Sequence, residues 1–216
     1  MFSRSRSRSK SSSHGKSSGS SKTGGSSSSS SGGSASRRLL QELSGWRKDL
    51  ARNPTEFPAI ERLGPVDDDD LFHWEAVING RRLGGGYDGG RWLLDIRIPD
   101  GKGNTSAAAK TSSGKKDGPK EGAYPLAPPV VRFVTRICAP NVDFETGEVC
   151  LDLLKTAWTP AYTLPMTVDA IWQMLDAPEV DSPLNVDIAA LLRDGDRIGA
   201  EGVVRWCCGE WRYDGR

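Results

Sequence analysis

The spacing of apolar residues changes twice along this chain, and those two changes restrict its fold more than any other feature. Leu39, Leu40, Leu43, Trp46 and Leu50 recur at helical spacing. They predict an amphipathic helix from Arg37 that stops near Asn53-Pro54. The period then drops to two. Ile60 to Val66 makes a short first strand, and Trp74, Ala76 and Ile78 alternate in a second. Trp92, Leu94, Ile96 and Ile98 alternate in a third, and Val131, Phe133 and Thr135 in a fourth. Helical spacing then returns. Pro165 fits the first turn of a helix burying Val168, Ile171, Trp172 and Leu175, and Asn185 can cap a helix carrying Ile188, Leu191 and Leu192 that ends at Gly195. A last helix through Val203, Val204 and Trp206 is weakened by Gly199, Gly202 and Gly209. A helix, a four-stranded antiparallel meander, a loop and C-terminal helices make an α+β fold.

Two segments fall outside this pattern. Residues 1–36 are mostly Ser, Gly, Arg and Lys, carry only positive charges and cannot bury enough surface to fold. They are expected to be a disordered tail ahead of one domain over 37–213. Residues 100–122 are rich in Gly, Lys, Ser and Ala and read as a disordered surface insertion. The 36% hydrophobic content suffices for a core of ordinary size. The Ser-Arg repeat at the N-terminus resembles Arg-Ser segments of RNA-associated proteins. With a net charge of only +1, the solvated-tail reading is preferred and no nucleic-acid partner is expected. No apolar run approaches a membrane span, no secretory signal opens the chain, and its last residues are no peroxisomal import address. A cytosol-facing protein is expected.

The four cysteines are Cys138, Cys150, Cys207 and Cys208, and the two histidines are His14 and His73. Without a Cys-x-x-Cys pair no metal site is expected, and no cofactor is implied. Asp67–Asp70 is expected to be a solvated turn, because consecutive carboxylates seldom converge on a cation. A cysteine protease needs a histidine base against its thiol, and only His73 is placed in the domain to try. Cys150 has apolar and small neighbours, with Asn141 nine positions before it and Trp158-Thr-Pro-Ala161 after it. A nucleophilic thiol needs a donor for the oxyanion that forms at an acyl carbon, and the Asn141 carboxamide would serve if the loop folds back. The plain alternative is a buried apolar cysteine.

Larger motifs decide between them. Ala139-Pro140-Asn141, Thr146-Gly-Glu-Val-Cys150-Leu-Asp-Leu-Leu154 and Trp158-Thr-Pro-Ala161 resemble the active-site region of ubiquitin-conjugating enzymes. Phe72–Gly80, Tyr87–Trp92 and Tyr124–Val130 resemble the same family in the same order. One departure is Ala139, where the family usually has a histidine that braces the loop. Restoring it by Ala139→His is expected to change stability by at most about 1 kcal/mol.

The resemblance implies that Cys150 carries ubiquitin as a thioester received from the ubiquitin-activating enzyme. Asn141 would stabilise the oxyanion or order the loop that does. Asp181 and Ser182 would form a gate over the acceptor, and Leu126, Thr159, Pro160 and Ala161 would face RING-type ligases. The longer spacer between Asn141 and Cys150, the Leu63–Asp67 stretch and the Asp181–Asp196 run resemble the family's peroxisomal branch. That implies a peripheral position on the cytosolic face of the peroxisome, a membrane-anchored peroxin as partner, and the recycling import receptor as substrate. The alternatives are a cytosolic or nuclear ubiquitin-conjugating enzyme of other specificity, and an RNA-associated binding protein acting through its tail.

Overall fold

The computed structural model describes residues 30–102 and 122–215. Most of the expected tail and insertion, residues 1–29 and 103–121, lies outside them. The first helix, α1, spans Ser30–Arg52, so residues 30–36 are helical and not part of a disordered tail. Once a helix is nucleated, each further residue adds a hydrogen bond, so even Ser and Gly can extend it. Ala35, fully buried, helps hold that added turn.

The sheet consists of β1 (Ile60–Asp67), β2 (Asp70–Asn79), β3 (Arg91–Arg97) and β4 (Val130–Phe133), antiparallel and in sequence order. Register aligns the alternating apolar residues: Trp74, Ala76 and Ile78 sit opposite Ile96, Leu94 and Trp92. Leu94 and Ile96 in turn face Phe133 and Val131. Opposed residues share a face, so one buried stripe crosses three strands. Thr135 lies outside β4. Its hydroxyl instead accepts the Leu93 amide at 3.0 Å, continuing the edge with a side chain. The aspartate run forms the expected turn, in which the Asp67 carboxylate accepts the Asp69 amide. Asp100 bridges Ala123, so the chain enters and leaves the insertion through a closed neck.

Three more helices follow: α2 (Leu164–Asp176), α3 (Val186–Arg193) and α4 (Arg197–Glu210). Thr163 caps α2 and Pro165 lies in its first turn. Val168, Ile171, Met174 and Leu175 join the sheet residues in one core. Trp172 is half-buried, its indole N–H donating to the Asn79 carbonyl at 2.9 Å. Asn185 caps α3 as expected. α4 runs through all three glycines, because burial of Ala200, Val204, Cys207 and Cys208 outweighs their poor propensity. Gly199 even helps start it: Asp196 accepts its amide, and a Cβ there would sit 2.4 Å from the Asp196 carboxylate. Val203 and Trp206 point outward.

Candidate active site

Cys150 closes a small hairpin-like loop docked on the end of β4. Val142 bridges Val149 and Arg132 bridges Glu148, and the Cys150 amide donates to the Asn141 carbonyl at 2.8 Å. The turn follows from its residue types. The Asp143 carboxylate accepts the Thr146 amide and hydroxyl and the Glu145 amide. Those donors hold its carboxyl below the usual carboxylate range, the Thr146 amide contributing most. Gly147 has φ +69°, and a Cβ there would lie 1.9 Å from the Phe133 carbonyl oxygen. Only glycine allows that approach. The tip docks sideways as well: Phe144 meets Trp211 edge-on at 5.3 Å, and Trp211 meets Trp206 at the same distance. Arg136 lies over both Phe144 and Trp211 and reaches Glu145 at 3.1 Å.

Asn141 is 2% exposed, and its carboxamide is clamped to one residue. Nδ2 donates to the Glu179 carbonyl at 2.7 Å, and Oδ1 accepts the Glu179 amide at 2.8 Å. The Pro140 carbonyl accepts from Leu184 and Asn185 at 2.8 and 3.0 Å. Four hydrogen bonds therefore join the Pro140-Asn141 pair to the α2–α3 loop that carries Asp181 and Ser182, both exposed. Two consecutive residues thus hold the cysteine loop on one side and the gate on the other.

The four thiols are not equivalent. Cys150 is half-buried, whereas Cys138, Cys207 and Cys208 are buried. Burial pushes the Cys138 thiol up to about 12, with Cys207 adding to the rise, and the Cys208 thiol up to about 12 as well. The Cys207 thiol is also raised by burial. A thiol must ionise to attack, so these three are inert. Ala139 is 1% exposed, and the loop beside it is braced by the Tyr87 hydroxyl donating to the Cys138 carbonyl at 2.9 Å. This corrects the expectation for Ala139→His: a large side chain forced into packed space typically costs about 1–3 kcal/mol.

The two loops carrying the expected ligase residues are tied together. The Trp158 indole N–H donates to the Pro125 carbonyl at 2.9 Å, leaving Leu126, Thr159, Pro160 and Ala161 exposed beside that bond. α1 fixes the arrangement. Arg38 donates to the Pro160 and Tyr162 carbonyls, each at 3.0 Å. Buried Glu42 accepts the Tyr124 hydroxyl at 2.5 Å and the Leu164 amide at 2.8 Å.

His73 pairs with Asp95 across β2 and β3 at 2.6 Å, so its ring is engaged in the sheet. Among the described residues no cluster of His, Cys, Asp or Glu can hold a metal, and no helix is long and apolar enough to cross a membrane. Two features escaped the sequence reading. One is the Phe144–Trp211–Trp206 ladder. The other is Lys155, whose Nζ lies 3.2 Å from the Cys150 sulfur. Its one visible signal is that residues 121–216 contain no other lysine.

The family described as ubiquitin-conjugating enzyme matches residues 120–205. A Gibberella zeae protein, ubiquitin-conjugating enzyme E2 PEX4, is 49% identical over 183 residues, covering 84% of this chain and 91% of that one. The Arabidopsis thaliana protein PEROXIN-4 is 40% identical over 158 residues, covering 73% and 85%. Among solved structures, the H. polymorpha ubiquitin conjugating enzyme Pex4p, crystallised with the soluble domain of Pex22p, superposes with a TM-score of 0.68. It is 32% identical and covers 83% of this chain and all of its own.

Proposed function

Since this chain belongs to the ubiquitin-conjugating enzyme family, we propose that Cys150 is the thiol on which it carries ubiquitin. The observation that carries this reading is the contrast among thiols: Cys150 alone is accessible, at the end of a loop held on both sides. Its thiolate attacks the acyl carbon of the thioester that joins ubiquitin's C-terminus to the activating enzyme. The old C–S bond breaks, the activating enzyme's thiolate leaves, and ubiquitin is held on Cys150 by a new thioester. An acceptor nucleophile then enters past Asp181 and Ser182 and takes the acyl group, releasing the Cys150 thiolate.

The clamp on Glu179 supports the loop-ordering role for Asn141. Its carboxamide spends a donor and its acceptor on the gate backbone, so it orders the approach to the thioester. The exposed Leu126 and Thr159–Ala161 surface is the ligase-facing side, prealigned by Trp158 and Arg38. The relatives named peroxin-4 support a peroxisomal role; on this reading the enzyme works at the cytosolic face and its acceptor is the recycling import receptor. The complex of Pex4p with Pex22p supports recruitment by a corresponding membrane-anchored peroxin.

The test is charging with activating enzyme, ubiquitin and ATP. Wild type should give a conjugate that reductant abolishes, Cys150→Ala should give none, and alanine at Cys138, Cys207 or Cys208 should leave the band in place. A reducible conjugate on Cys150→Ala would remove the assignment.

A further inference from the structure

We propose that Lys155 is a catalytic residue of discharge: its ammonium donates to the Cys150 sulfur and stabilises the negative charge that gathers there as the thioester C–S bond breaks. The proposal rests on the thioester reading of Cys150. Its ground is a charged contact at the reacting atom, Lys155 Nζ lying 3.2 Å from Cys150 Sγ. Among the described residues that sulfur is the ammonium's one side-chain partner, and no carboxylate pairs with it. The backbone holds the two together. The Cys150 amide is fixed on the Asn141 carbonyl at 2.8 Å. A 3₁₀ turn over Asp152–Leu154 then folds the chain back, the Asp152 carbonyl accepting the Lys155 amide at 3.0 Å and the Ala157 amide at 2.9 Å. Leu154 and Trp158, both buried, anchor the turn on either side of Lys155.

The step needs no co-reactant beyond the acceptor. An acceptor amine adds to the thioester carbonyl carbon and a tetrahedral intermediate forms. The C–S bond then breaks, its electron pair goes to Sγ, the acyl group stays on the nitrogen, and the surplus nitrogen proton goes to water. Lys155 keeps its own protons throughout. Sulfur in a thioester is a weak acceptor, whereas sulfur in a thiolate is a strong, charged one. The N–H···S contact is therefore stronger in the transition state than before it, and only interactions of that kind accelerate a chemical step.

Charging and discharge should respond differently. A cation beside a thiol increases the thiolate fraction but weakens the thiolate as a nucleophile, and the two effects oppose each other in attack. In discharge the sulfur only gains charge, so nothing offsets the benefit. Residue choice agrees. From residue 121 onward every other Lys/Arg position is arginine. The one lysine, a compact point charge, stands where a single acceptor atom has to be met.

The experiment charges the full chain, removes ATP, and chases the thioester with hydroxylamine in the absence of ligase. Hydroxylamine is a weak base, itself readily expelled from the tetrahedral intermediate, so C–S cleavage governs its rate. Lys155→Met keeps the length of the side chain and removes its charge. It should charge within about twofold of wild type but lose the reducible band about fivefold more slowly at about 0.05 M salt. At about 1 M salt, where the screening length is about 3 Å, that difference should shrink. Lys155→Arg keeps the charge and should discharge within about threefold of wild type. Equal discharge of wild type and Lys155→Met at matched charging would overturn the proposal while leaving the thioester reading intact. Equal slowing of Lys155→Met and Lys155→Arg at both salt concentrations would overturn it as well, by making shape and not charge the cause. A Lys155→Met protein that melts normally but does not charge would also count against it, placing the benefit in attack. Failure of wild type to form the reducible band at all would overturn both readings.

Discussion

Asn141 illustrates how one side chain can be indispensable without touching the reacting atoms. Alanine at this position deletes both hydrogen bonds from buried Asn141 to the exposed Glu179 backbone, a loss of about 1–3 kcal/mol for the two together. In a domain of this size that corresponds to a melting temperature about 5 °C lower. Charging and discharge should both weaken, because the clamp orients the cysteine loop and the gate together. Calorimetry with single-turnover charging and discharge separates the cases. Unchanged melting with discharge alone slowed about a hundredfold would return Asn141 to an oxyanion-donor role. In the sequence the approach of Asn141 to Cys150 was legible only as a condition, that the loop fold back; the structure shows the fold-back, with the Cys150 amide on the Asn141 carbonyl. The partner of the Asn141 carboxamide was not legible, since Glu179 lies thirty-eight residues away and no local pattern announces it. Lys155 was hidden for a related reason: its contact depends on a single 3₁₀ turn.

Among the elements, the four strands were readable because period-two patterning and antiparallel register reinforce each other. α4 was underrated because helix propensity counts its glycines and not the four residues it buries. Its C-terminal end also serves the active-site loop, since Trp211 receives Phe144. Trp211→Ala removes both ring pairs of the ladder, each worth about 0.5–1.5 kcal/mol beyond its buried area. Amide exchange at Phe144, Glu145 and Thr146 should therefore accelerate more than at Val131 or Phe133. Uniform acceleration across all of these positions would mean that the ladder merely supports the domain and has no particular hold on the loop.

For the molecule as a whole, its buried proton donors set a limit on the alkaline side. Burial raises the thiols of Cys138, Cys207 and Cys208 and the phenols of Tyr87 and Tyr124 above their ordinary values. The folded state therefore keeps these protons more tightly than the unfolded chain does. Their stabilising contribution is complete below the unfolded thiol value of about 8.5 and is lost as pH climbs from there towards 12. The melting temperature should be flat from pH 7 to 8 and fall by several degrees by pH 10.5. A value unchanged across that range would mean these groups ionise without cost to the fold.

The closed neck at Asp100 and Ala123 has a practical consequence. Two chain segments that already meet make a socket, and what fills a socket is free to vary in length and kind. A compact reporter protein whose own termini lie close together could be spliced between residues 102 and 122, leaving both ends of the catalytic chain untagged. Carried there, it would make the enzyme visible in living cells without burdening either terminus.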